Sequence, residues 1–450
     1  MQDWLCPSEI AGAGCGRGAA VECSSRVRVR PGTVHCKSPS GSKRTMSEAT
    51  RAAEGVPAYE FRAPPTILFG PGRIADLGAT VASLGSSAWI VAGARALGAA
   101  GGSDGVVAAL AAAGVTATLV GTAGGEPTVA DVVGLLARQS AAPREGVVVV
   151  AIGGGSTIDL AKALAGLVTN LAADESDLDA AVVDRLEGVG RGLPLREPVL
   201  PLVAVPTTAG TGAEATRNAV ISCPRRGFKR SLRSPFLVPR AAVVDPALTV
   251  TCDRGTTVAA GLDCITQLVE SFISRFAQPL PRALVLGALP GAIAALPQAV
   301  ADPRDLAARA ALSHGALVSG MALANSGLGM AHGVAAALGV ECGAAHGAAC
   351  AALLPVAVRV NRQVAEPHLA RLERAIDPGA PAADAAAAAA FGARIESLCV
   401  AVGAPARLRD FGLRRDRVGW LAANSGGASM RGNPVQLAAA DLVPILEAIY

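Results

Sequence analysis

From Tyr59 onward, short apolar runs alternate with longer amphipathic or small-residue stretches. "TILFGPG" (66–72), "SAWIVAG" (87–93), "VTATLVG" (115–121), "GVVVVAIGGGS" (146–156) and "PLVAVPTT" (201–208) are each too short for a helix and stop at Gly or Pro. Such runs are expected of strands, and the unbroken "VVVVAI" of one buried on both faces of a parallel sheet. Between two of them "TVADVVGLLARQSA" has the period of an amphipathic helix. Strand and helix in alternation over nearly two hundred residues predict an α/β N-terminal half with a Rossmann-like open parallel sheet. After "RAAVVDPALT" (240–249) the strand pattern ends, and Ala- and Leu-rich helical stretches separated by Gly or Pro run to the C-terminus. The expected organisation is an α/β domain over 58–249 and an all-α domain over 250–450. Residues 1–57, Gly/Ser/Arg-rich and without periodicity, are expected to be a disordered extension.

Composition adds to this. With 51% hydrophobic and 17% charged residues, the chain has material for a large core. "EGVVVVAI" is too short and "ADAAAAAAFGARI" too interrupted to cross a membrane, so a soluble protein without a membrane partner is expected. Residues 1–45 hold seven Lys/Arg and three Asp/Glu, which accounts for the whole net charge of +4. The body is therefore neutral, with no basic stripe interleaved with aromatics, and nucleic acid is not an expected partner. Of ten cysteines, four fall in the first 36 residues and six are scattered through apolar surroundings, with no C-x-x-C pair. No signal-peptide apolar region opens the chain. Reduced thiols and a cytoplasmic location are expected.

Two loops carry candidate binding chemistry. In "VVAIGGGSTIDLAKAL" a buried strand runs through three glycines and a serine into a helix, whose free N–H groups can meet a pyrophosphate at Gly154, Gly155 and Ser156. "VPTTAGTGAEAT" (205–216) likewise follows a buried strand and offers the hydroxyls of Thr207, Thr208 and Thr211. Paired loops at the ends of neighbouring strands form the crevice in which open α/β sheets bind dinucleotides. At the end of the run 87–93 stand Gly93 and Arg95, with no acid to hold a ribose 2′-hydroxyl. That is compatible with NADP, or simply with a small loop residue.

The helical half holds a second constellation. "GLDCITQLVES" places Asp263 and Gln267 four apart, on one helix face. His332 and His346 follow in a region of small residues. Asp263, Gln267, His332 and His346 together offer two oxygens and two nitrogens to a divalent metal such as iron or zinc. His314 and His368 are assigned no role.

These motifs, taken with "FGPGRIADLG", "VVDPALT", "GMALANSGLGMAHGVAAALG" and "HGAACAALLP", stand in the order found in the iron-containing (group III) alcohol dehydrogenase family, which the chain resembles over about 59–450. The resemblance implies a metal between a dinucleotide-binding domain and a helical domain. Position by position, it puts the family's metal Asp on Asp263, its first metal His on Gln267 and the other two on His332 and His346. The cofactor-binding set it implies is Gly154, Gly155, Ser156, Asp159, Thr207, Thr208, Thr211 and Lys229. The acid that often favours NAD over NADP falls on Gly93. Ala336 stands where many members carry a proton-relaying His.

The implied activity is metal-dependent, NAD- or NADP-linked interconversion of a small alcohol and its aldehyde or ketone. Asp263, His332 and His346 are the catalytic residues, Fe²⁺ the first choice of ion and Zn²⁺ the second. A homo-oligomer, dimeric or larger, is expected. The competing readings are a metal-independent reductase resembling maleylacetate reductases and a nucleotide-binding protein without turnover.

Overall fold

A computed structural model describes residues 56–450 apart from 141, 173 and 174. The expected extension over 1–57 therefore lies outside the described residues, save its last two. Among the described residues eight strands are formed: β1 (Thr66–Phe69), β2 (Ser87–Gly93), β3 (Thr116–Ala123), β4 (Val147–Gly153), β5 (Leu202–Pro206), β6 (Asn218–Cys223), β7 (Phe228–Arg233) and β8 (Ala241–Val244). Six of them make one sheet in the order β1-β8-β5-β4-β2-β3, and all its pairings are parallel. Side chains alternate across it, as a strand period of two requires. Ala88, Ile90, Val148, Val150, Ile152, Val203 and Val205 fill the core on one face. Trp89, Val91, Val147, Val149, Ala151, Leu202 and Ala204 fill the other. With both faces covered, every residue of β4 is buried.

The longer helices are α1 (Gly102–Ala112), α2 (Val129–Gln139), α3 (Gly155–Asn170), α4 (Arg254–Ile273), α5 (Pro279–Ala301), α6 (Leu306–Ser326), α7 (Met330–Cys342), α8 (His346–Asn361), α9 (Glu366–Ile376) and α10 (Asp384–Val402). The first three belong to the sheet half. The rest follow β8, and no described residue after Val244 is in a strand.

Two features differ from the sequence reading. Strands β6 and β7 pair antiparallel as a separate hairpin, which the apolar-run criterion missed. Strand β7, "FKRSLR", buries only Leu232, and alternation in β6 is confined to three buried positions. Contrary to the expectation that no segment is long and apolar enough, α5, α6 and α10 could cross a membrane by length and composition. Scattered Gly, Pro and polar residues obscured this in the chain. In the fold, 44%, 67% and 39% of their respective apolar windows are buried inside the protein, where Leu289, Leu296, Leu312 and Phe391 share one core with Leu262 and Leu268 of α4.

Small residues join the sheet half to the helices. Gly212, in the loop after β5, has φ +60, and a Cβ on Gly320 of α6 would lie 2.1 Å from the Gly212 carbonyl oxygen. Only two glycines allow that approach. It fixes the loop after β5 against the helical half and so decides what faces what at the site.

Candidate active site

The two glycine–hydroxyl loops touch. Gly153 at the end of β4 lies beside Pro206 at the end of β5, and Thr207 N–H donates to the Gly153 carbonyl at 3.0 Å. A Cβ on Gly154 would meet Thr208 Oγ1 at 3.2 Å, and one on Gly155 would meet Thr211 Oγ1 at 2.5 Å. The glycines are thus required by the neighbouring loop. They also leave the first turn of α3 bare, with its N–H groups available to an anion.

A cavity of about 510 Å³ opens in front of this turn. Gly155, Ser156, Asp159, Thr211 and Lys229 line it, whereas Gly154, Thr207 and Thr208 do not. Lys229, on β7, forms an ion pair with Glu126. Burial opposes ionisation of Glu126, but the Lys229 ammonium outweighs it and holds the carboxyl below its ordinary range. Asp159 accepts a hydrogen bond from Val220 N–H at 3.0 Å, which ties α3 to β6. Its pKa is raised, chiefly by burial.

Lys162, one turn further along α3, is a supporting residue outside the sequence-predicted set. It is 1% exposed, and its Nζ donates to the carbonyls of Ala213 (2.6 Å), Thr216 (2.8 Å) and Asn218 (3.2 Å) and to Thr216 Oγ1 (2.7 Å). It staples the segment between the second loop and β6. A lysine three residues after Asp159 in an otherwise apolar helix was the available signal.

The same cavity reaches Asp263, Gln267, His332, Ala336 and His346. Asp263 and Gln267 come from α4, His332 from the first turn of α7, and His346 opens α8. His332 Nε2 lies 3.3 Å and His346 Nε2 4.0 Å from Asp263 Oδ1, and the two imidazole centroids are 5.5 Å apart.

Burial works against the charge on Asp263, yet the two histidines hold its pKa below the usual carboxylate range. Burial likewise disfavours protonated His332, but Cys350, Asp263 and Glu270 outweigh it and push His332 well up. At His346 burial prevails, reinforced by Lys229, and the pKa falls to about 4.

Three residues outside the sequence set complete the site. Glu270, 1% exposed, accepts from His332 Nδ1 at 2.7 Å and from the N–H groups of Gly329 (2.9 Å), Ala331 (2.7 Å) and His332 (3.4 Å). It caps α7 from another helix and turns His332 Nε2 toward Asp263. Its position seven residues after Asp263, on the same face of α4, was the only sequence signal. Ser319 Oγ donates to Gln267 Oε1 at 2.7 Å, while Gln267 Nε2 donates to Asp263 Oδ2 at 3.1 Å. Cys350 Sγ lies 3.8 Å from His346 Nε2.

Asp263 Oδ1, His332 Nε2 and His346 Nδ1 are buried with no hydrogen-bond partner. Buried polar atoms without partners are rare in folded proteins. A carboxylate oxygen and an imidazole nitrogen so left facing each other fit a divalent ion, which would satisfy both.

Comparison with known proteins agrees with this geometry. The family model for iron-containing alcohol dehydrogenase matches residues 64–246, and that for the C-terminal region of Fe-containing alcohol dehydrogenases matches 257–450. The chain is 32% identical over 376 residues to the probable alcohol dehydrogenase EutG of Escherichia coli strain K12, covering 83% of this chain and 90% of that protein. Its fold is similar to the alcohol dehydrogenase from Oenococcus oeni, with a TM-score of 0.78 and 28% identity over 87% of this chain and all of the other. It is similar also to the sulfoacetaldehyde reductase from Bifidobacterium kashiwanohense solved with NAD+, at a TM-score of 0.76 and 25% identity over 87% and 98% of the two chains. The chain belongs to the iron-containing alcohol dehydrogenase family, oxidoreductases that act on CH–OH groups.

Proposed function

We propose that the enzyme interconverts a small alcohol and its aldehyde or ketone by hydride exchange with NAD or NADP, at a divalent ion held by Asp263, His332 and His346. The observation that carries this reading is a single cavity lined both by Ser156, Thr211 and Lys229 and by Asp263, His332 and His346. A nicotinamide entering from the loops and a substrate oxygen at the carboxylate–imidazole end would share that space. In this reading residues 58–249 supply the dinucleotide site and 250–450 the metal and substrate site.

When bound, the ion supplies Lewis-acid polarisation of the substrate oxygen. The chain's residues do the rest. The bare turn at Gly155 and Ser156 receives the pyrophosphate, with Thr207 and Thr208 shaping the loop behind it. Asp159 and Lys162 hold the hairpin that carries Lys229 over the cavity. Glu270 fixes the tautomer and direction of His332.

Leu323, Leu328 and Ala336 line the cavity along with the polar groups, which supports a compact organic alcohol. Ala336 has no proton to give or take, so the alcohol's proton leaves by water or a ribose hydroxyl. A Cβ at Gly93 would pack 3.2 Å from Thr157 Oγ1, and Arg95 is exposed beside Asp253. With glycine and no acid at position 93, use of NADP as well as NAD is part of the proposal.

A homo-oligomer is proposed too, supported by the exposed Leu280 of α5 and Val400 of α10. The six described cysteines are free thiols, which supports a reducing compartment such as the cytoplasm. The activity is tested with purified protein assayed for NAD- and NADP-linked turnover of short alcohols and aldehydes. Asp263→Ala should abolish turnover while leaving cofactor binding intact.

A further inference from the structure

We propose that Cys350, and not Gln267, is the fourth protein ligand of the metal centre. This rests on the reading that Asp263, His332 and His346 hold a divalent ion. Cys350 follows His346 by four residues on α8, so the two side chains lie on one helix face. The thiol is fully buried. One donor atom each from Asp263, His332, His346 and Cys350 can be chosen so that all four lie within 4.8 Å of one another.

The spacing suits a tetrahedral ion. Metal–nitrogen and metal–sulfur bonds of about 2.0 and 2.3 Å put neighbouring ligand atoms roughly 3.3–3.6 Å apart. Here Asp263 Oδ1 is 3.3 Å from His332 Nε2 and 4.0 Å from His346 Nε2, which is 3.8 Å from Cys350 Sγ. The Asp263–His332 spacing already fits, and the other two pairs would draw in by roughly 0.3–0.7 Å, within a set whose atoms all lie inside 4.8 Å of one another.

Gln267 is engaged at both ends. Its amide nitrogen points at Asp263 and its amide oxygen accepts from Ser319, so it orients the carboxylate and does not present an oxygen to the site. Position argues the same way. Asp263, His332, His346 and Gln267 all line the cavity and Cys350 does not. A thiolate ligand therefore approaches from the closed side and leaves the cavity face open for a substrate oxygen. Coordination releases one proton from the thiol to solvent, and a thiolate moves the site's preference toward zinc and away from hard, oxygen-seeking ions.

The test uses the full chain loaded with Co²⁺ for optical spectra and with Zn²⁺ for X-ray absorption. Expected are a near-ultraviolet thiolate-to-cobalt charge-transfer band and one sulfur scatterer at about 2.3 Å. Cys350→Ser should lose both, and Gln267→Ala should keep both. Stoichiometric metal that depends on Asp263 but shows no sulfur overturns the proposal and leaves the metal-centred function standing. Metal binding that is absent, or indifferent to Asp263→Ala, overturns the function and this proposal together. Should Cys350→Ser not fold, the wild-type absorption spectrum decides alone.

Discussion

Replacing Glu270 by Gln changes neither shape nor volume appreciably, yet it removes a charge and one of two acceptor oxygens. Those oxygens serve four donors: Ala331 N–H on one, and Gly329 N–H, His332 N–H and His332 Nδ1 on the other. An amide can present its oxygen to only one side. In the better orientation the new NH₂ faces Ala331 N–H, so a charge-assisted hydrogen bond of about 1.5–3 kcal/mol is lost and a buried donor is stranded at about 1–3 kcal/mol more. The weakened charge at the start of α7 adds roughly 0.3–1 kcal/mol. Relief from burying a carboxylate offsets part of this, leaving an expected loss of about 2–4 kcal/mol. Urea unfolding of the metal-free protein should show it as a lower midpoint with an unchanged slope. Because His332 is then less firmly aimed, metal affinity should also fall about 10–100-fold. A loss below about 1 kcal/mol with metal affinity unchanged would refute the assignment of Glu270 as both helix cap and histidine anchor.

Other consequences follow from the same contacts. Lys162→Met strands three carbonyls and a hydroxyl that now share one ammonium; thermal unfolding should reveal a loss of roughly 3–5 kcal/mol, accompanied by a higher KM for the dinucleotide. Burial pushes Glu214 from 4.5 up to about 7. Its folded pKa lies above the unfolded one, so its contribution is complete below 4.5 and is lost as pH rises through about 7. Glu214→Gln should therefore gain stability relative to wild type by roughly 3 kcal/mol between about pH 5 and pH 8, read from unfolding curves at each pH; a gap that does not change with pH would contradict this. Gly93→Asp introduces an acid facing the ribose and should lower kcat/KM with NADP by about tenfold or more while sparing NAD. Equal losses with both cofactors would mean that Gly93 does not face the ribose.

Much of this architecture is legible in the chain because its strands are written in apolar, β-branched runs. β4 and β5 read as buried strands, and the glycine and hydroxyl residues after them mark two loops, whose mutual packing through Gly154, Gly155, Thr208 and Thr211 shows only in the fold. The hairpin was not legible: β7 is mostly Arg, Lys and Ser, and its pairing with β6 shows only in three dimensions. In the helical half, His332 and His346 stand out because histidine is scarce, and Asp263 because Gln267 follows it at helix spacing. Their supporting residues do not. Glu270 is one acid among many until α7 is laid across it 62 residues later, and Cys350 reads as one more buried thiol until His346 is seen one turn before it. Gln267 looked like an odd ligand by its place in the sequence, and Ser319, 52 residues away, decides where its amide oxygen points. The apolar length of α5, α6 and α10 was masked by their Gly and Pro.

On the proposed function, hydride exchange in this cavity depends on a divalent ion at Asp263, His332 and His346. The most direct test is NAD(P)-linked alcohol oxidation by one preparation before chelation, after chelation, and after restoring a single equivalent of Zn²⁺ or Fe²⁺. Activity should disappear with the metal and return with it, in proportion to the metal bound, while the metal-free protein remains folded. Full activity in protein shown to be metal-free would contradict it.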